Sequence, residues 1–90
     1  TKYAATSKLE ERTLTISQDG KLFFFFFPVE RKDLISVLKN AFSKQDDKTL
    51  VLRADKNVSY GIVVDVMDAA KGAGLRRIVA PTIIEPEKNP

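Results

Sequence analysis

The sequence predicts an α+β two-layer sandwich: a mixed β-sheet of four to five strands with two helices on one face, in the order β-β-α-β-α-β. Three observations lead there. Thr13-Leu14-Thr15-Ile16-Ser17 alternates apolar and polar residues, and Asp19-Gly20 separates it from a second strand-like run. Two later stretches repeat their apolar residues with the helical period, and a short strand-like run follows each, the first of them of interior-strand character. Finally, 90 residues make one small domain.

Residues 1–11, TKYAATSKLEE, hold no sustained period and read as a flexible lead-in. The alternation from Thr13 to Ser17 is that of a half-buried strand. Asp19-Gly20 is a strong hairpin signal, because glycine accepts positive φ. The return strand is then Leu22 to Phe27, which contains five consecutive phenylalanines. Aromatic residues favour strands, and Pro28 is expected to end this one because it has no N–H for the ladder. From Glu30 to about Lys44, Leu34, Ile35, Leu38, Ala41 and Phe42 form one apolar helical stripe. Its start lacks a good cap, although Glu30 and Asp33 suit the positive end of a helix dipole. Thr49 to Arg53 reads as an interior strand. Asn57 or Ser59 can cap a second helix with Ile62, Val63, Val66, Met67, Ala70 and Ala73 on its apolar side. Gly74 stands where a left-handed residue closes a helix, with Leu75 placed for the accompanying contact. Arg77 to Ala80 forms the last strand before Pro81. The domain is expected to span residues 12–84, with a loose tail over residues 85–90.

Side chains alternate across a strand, so five consecutive phenylalanines in one strand cannot all face the helices. With a two-residue turn at Asp19-Gly20, Phe23, Phe25 and Phe27 share the core side. With a three-residue loop and a bulge at Gly20, Leu22 and Phe24 take that side beside Ile16. Either register places two or three rings among Thr13, Thr15 and Ser17. An exposed Phe forfeits about 1.5 to 3 kcal/mol, so Phe23, Phe24, Phe25, Phe26 and Phe27 are together a candidate partner or dimer interface. A plainer reading is that the N-terminal segment or simple local packing covers them, and a third is a charge-free segment prone to self-zipping.

Composition excludes several classes. The longest apolar run, Leu22 to Phe27, is far short of the roughly 20 residues of a membrane-spanning helix. The start at Thr1, with neither Met nor a leader, suggests a piece of a longer or processed chain. Cysteine and histidine are absent, which removes disulfides, thiolate nucleophiles, Ser-His triads and nearly every zinc site. No phosphate loop or nucleophile elbow is present, so no catalytic, metal or cofactor residue is assigned. Net charge is +3, with 15 basic residues interleaved among 12 acidic ones. A small basic nucleic-acid-binding module using aromatics on an open sheet is the alternative function, but nucleic-acid binders usually gather Lys and Arg on one face. Here Lys21 and the Arg31-Lys32 pair are all that flank the Phe run.

Residues 51–82, from Arg53-Ala54-Asp55-Lys56 through Tyr60-Gly61, Val64-Asp65-Val66-Met67-Asp68 and Ala70-Lys71 to Ala73-Gly74, resemble the periplasmic domain of the ExbD/TolR family of biopolymer transport proteins. The likeness extends more weakly upstream through DGKL and Pro28-Val29 to residue 13. It implies an inner-membrane protein whose N-terminal helix, not in this chain, carries a proton-responsive Asp and assembles with an ExbB/TolQ-type channel subunit. The periplasmic part is then expected to form a homodimer and to meet a TonB- or TolA-type energy transducer or peptidoglycan. Members usually carry Pro where Ser59 stands, and a polar turn where Phe25-Phe26-Phe27 stands.

Among individual residues, Asp55, Lys56 and Tyr60 form a possible partner-binding loop; Asp55 reads equally as the former of an Asx turn, and Tyr60-Gly61 as packing for the helix start. Lys71, Arg76 and Arg77 are a possible contact for an anionic polymer, or simply complement the helix dipole. Asp65 and Asp68 share a helix face and read as solvated.

Overall fold

The computed structural model describes residues 11–80. Five strands, β1 (Thr13–Ile16), β2 (Leu22–Phe24), β3 (Phe27–Val29), β4 (Thr49–Ala54) and β5 (Arg77–Val79), form one sheet in the order β3-β2-β1-β4-β5. The β1-β2 and β2-β3 pairs are antiparallel, and β4 runs parallel to both β1 and β5. Helices α1 (Leu34–Phe42) and α2 (Tyr60–Gly72) provide the second layer, and a 3₁₀ turn at Arg31–Asp33 leads into α1. Of the expected lead-in, residues 1–11, only Glu11 falls within the described residues, and the expected tail, residues 85–90, lies outside them.

Alternation decides the layers. Leu14 and Ile16 of β1, Leu22 and Phe24 of β2, and Leu50 and Leu52 of β4 are buried. They meet Leu34, Leu38 and Phe42, spaced four apart on α1, and Val66 and Ala70 of α2. Each such side chain contributes about 1.5 to 3 kcal/mol by leaving water. The Phe24 and Phe42 rings lie 6.2 Å apart.

The first hairpin takes the three-residue loop. Ser17 N–H donates to Lys21 O at 2.8 Å and Gly20 N–H to Ser17 O at 2.9 Å. Gly20 has φ +87°, and a Cβ there would stand 3.0 Å from Ile62 Cδ1. The resulting register sets Ile16 opposite Leu22 and Leu14 opposite Phe24.

The phenylalanine run is not one strand, and strict alternation through Leu22 to Phe27 is overturned. Phe25 and Phe26 have φ of 52° and 72°, so they form a left-handed two-residue turn between Phe24 and Phe27, which face each other in the ladder. Pro28 does not end a strand either: it sits within β3, opposite Phe23. The edge position makes this tolerable, since a proline nitrogen facing outward forfeits no ladder bond. Phe24, packed in the core, and Phe25, half-buried against it, are therefore withdrawn from the candidate interface.

The helix ends follow from local chemistry. Ser59 Oγ accepts from Ile62 N–H at 3.3 Å, capping α2. At its other end Leu75 N–H reaches Ala70 O at 3.1 Å and Gly74 N–H reaches Lys71 O at 3.0 Å, with Gly74 at φ +95°. This 6→1 and 5→2 pair is the Schellman closure. The end of α1 is closed by Lys48, whose Nζ donates to the carbonyls of Phe42 and Gln45. Arg12 ties the entry of β1 to the same corner: it donates to Thr49 O at 3.1 Å and Gln45 Oε1 at 2.9 Å, and lies 5.8 Å from the centre of the Phe42 ring.

Candidate functional site

Because both helices pack on one side, alternation leaves Thr13, Thr15, Phe23, Pro28, Val51, Arg53 and Val79 on the other. The register lines up Pro28, Phe23, Thr15 and Arg53 across four adjacent strands. Val51 and Val79 pair one row away, and Val79 is exposed. Thr13, Thr15, Phe23, Phe26 and Arg53 line a shallow cleft of about 270 Å³. That is below the usual range of roughly 300 to 1,000 Å³ for small-molecule pockets, so the face suits a protruding side chain of a partner better than an enclosed ligand.

The hairpin tip adds a second aromatic feature. Phe26 and Phe27 are 71% and 65% exposed. Phe25 anchors both, its ring 6.1 Å from that of Phe26 and 6.0 Å from that of Phe27. Phe26 lines the open-face cleft, whereas Phe27, paired with Phe24, belongs to the helix-side face at the sheet edge. Of the five phenylalanines assigned to an interface from sequence, Phe23, Phe26 and Phe27 remain available.

The other sequence candidates are dispersed. Asp55 Oδ1 accepts from Asn57 N–H at 2.8 Å, an Asx turn that shapes the β4-α2 connection. Lys56 is exposed. Tyr60 is 80% exposed, so it does not pack the helix start. A Cβ at Gly61 would meet only Ser59 Oγ at 3.8 Å, so no close backbone approach requires glycine there. Asp65 pairs with Arg31 at 3.1 Å on the surface. Among the described residues no cluster of acidic side chains is arranged to hold a metal ion. Lys71, Arg76 and Arg77 are exposed, and the backbone N–H groups of Arg76 and Arg77 both reach Lys48 O, at 2.8 and 3.2 Å.

Two surface carboxyls titrate below their ordinary value of 3.8. Asp47 is lowered by a hydrogen bond from Thr49 and then by the nearby Arg12 and Arg77 guanidiniums; Asp19 is lowered by the Ser17 hydroxyl and then by its own backbone N–H and Lys21. Both stabilise loops rather than build a reactive site. Sequence reasoning missed Arg53 and Val79 as members of the open face. The signal was present in β4, where buried Leu50 and Leu52 alternate with Val51 and Arg53.

The fold is thus a one-sided α+β sandwich whose open sheet face is apolar and bears Arg53. This chain belongs to the ExbD/TolR family: the family model for "Biopolymer transport protein ExbD/TolR" matches residues 2–83. The chain is also similar to "Biopolymer transport protein exbD2" of Vibrio cholerae serotype O1 (strain ATCC 39315 / El Tor Inaba N16961), with 46% identity over 43 residues. That stretch is 48% of this chain and 32% of the relative, so the match spans about a third of the relative's length. Among the described residues no helix is long and apolar enough to cross a membrane.

Proposed function

We propose that this domain is the partner-binding part of an ExbD/TolR-type subunit on the periplasmic side of the bacterial inner membrane, where it helps couple the proton-motive force to TonB- or Tol-dependent envelope transport or integrity. It works by association rather than by chemistry. Its partners on this reading are a second copy of itself, an ExbB/TolQ-type channel subunit and a TonB- or TolA-type transducer, with peptidoglycan as a further anionic ligand for Lys71, Arg76 and Arg77. The observation that carries the reading is the open sheet face: Phe23, Thr15 and Arg53 stand in one register row, beside the apolar pair Val51 and Val79.

Sedimentation equilibrium tests it. The wild-type chain is expected to dimerise at micromolar concentration, and Phe23→Ser combined with Val79→Ser to sediment as a monomer. Neither side chain belongs to the buried core, and a far-UV circular dichroism melt checks that the variant folds. A wild type that stays monomeric well above the micromolar range, or a variant that dimerises equally well, contradicts the proposal.

A further inference from the structure

The exposed rings of Phe26 and Phe27 are not explained by the open face alone. A two-residue left-handed hairpin turn is ordinarily Asn-Gly or a close equivalent, because both positions need positive φ. Here both positions are Phe. The strand pairs on either side hold that backbone in place, but the Phe26 ring itself gains little from this chain's own core, being 71% exposed. The worth of that ring therefore lies outside the chain.

We propose that this hairpin tip, together with the basic end of the sheet, docks on an anionic lipid bilayer. Two features select a bilayer. Phe26 lines the open-face cleft while Phe27 belongs to the helix-side face, and the Phe25 ring lies 6.1 and 6.0 Å from them. The boundary between headgroups and acyl chains closes around an inserted tip and so covers both rings at once. Apolar rings combined with Lys and Arg are the composition of interfacial membrane contacts.

The second feature is charge. By register, the turn at Phe25-Phe26 lies at the end of the sheet where β1, β4 and β5 begin. Phe25 N–H donates to Thr13 O at 3.3 Å, and Lys48 O holds Arg76 and Arg77 at that same end. Lys44 follows α1, and Lys71 lies in the last turn of α2, both exposed. Four strand spacings of about 4.8 Å separate the aromatic corner from the basic one, roughly 19 Å. Glu11, Asp46 and Asp47 share this end, and Asp47 already faces Arg12 at 3.7 Å. Exposed cations beside an anionic leaflet are attracted to it over about a Debye length.

This goes beyond the partner-binding reading and is tested separately from it. The 90-residue chain is sedimented with sucrose-loaded vesicles of phosphatidylcholine, or of phosphatidylcholine mixed with phosphatidylglycerol. Binding to the mixed vesicles is expected. It should fall by about tenfold or more in Phe26→Ser with Phe27→Ser, and by several-fold in Arg76→Gln with Arg77→Gln or at high salt. Circular dichroism melts confirm that the variants fold, and because Phe26 also lines the open-face cleft, the dimer constant of each variant is measured without lipid, so that lost vesicle binding with dimerisation intact is assigned to the tip. No binding to anionic vesicles, equal binding by the Phe variant, or equally tight binding of the wild type to soluble poly-glutamate overturns the proposal.

Discussion

Exchanging Phe26 for asparagine or for valine is expected to change stability in opposite directions. Phe26 has φ 72°, a region that costs a non-glycine residue roughly 1 to 2 kcal/mol. Asparagine reaches it with less strain because its short polar side chain bonds locally, whereas a β-branched residue is a clear outlier there. With the ring 71% exposed, the burial lost on truncation is under about 1 kcal/mol. Phe26→Asn is therefore expected near or slightly above wild-type stability, and Phe26→Val about 1 to 2 kcal/mol below Phe26→Asn. Since 1 kcal/mol shifts Tm by about 4 to 8 °C in a domain of this size, the pair should separate by at least several degrees in a thermal melt, with urea titration as a second measure. In a continuous strand the order would reverse, because valine favours strands and asparagine does not. A valine variant more stable than the asparagine variant would refute the turn.

Three further outcomes follow from the same structure. Phe42→Ala removes a ring that is 2% exposed and packs on Phe24 and beneath Arg12; a loss of about 3 to 5 kcal/mol in urea denaturation is expected, enough to unfold much of a small domain. Gly74→Ala meets no atom within 4 Å but sits at φ +95°, so its cost, about 1 kcal/mol in a thermal melt, comes from the backbone alone. Asp19 and Asp47 titrate lower in the folded state than in the unfolded one, so the stability they supply is complete above their ordinary value and is lost as pH falls through the folded values; Tm measured against pH should fall below about pH 4, less steeply in Asp47→Asn.

Most of the architecture was legible because local and global signals agree. Ile16 and Leu14 want apolar partners, the Gly20 loop supplies them as Leu22 and Phe24, and the helix periods, the Ser59 cap and the Gly74 closure match the layers they build. The break inside the Phe run was not legible from residue type, because nothing in Phe25-Phe26 favours positive φ. Core packing overrides preference there: Phe24 is pinned opposite Leu14 and buried against Phe42, and Val29 pairs with Leu22, which closes the chain between them into a turn. Pro28 misled for the complementary reason, since its ban applies to central strands and β3 is an edge. Of the site, Phe23 was legible by alternation once the register was known. Tyr60 and Gly61 were not, because exposure at a helix start depends on what packs above it.

The claim that the uncovered side of the sheet is the meeting surface is tested most directly by spin-label distances, for which a chain without cysteine is convenient. Sheets packed face to face stand about 10 Å apart, so a nitroxide at Arg53→Cys is predicted to give a short intersubunit distance, and one at Ser36→Cys on α1 a long one. A short distance from position 36, or none from position 53 in a sample that dimerises, would contradict it.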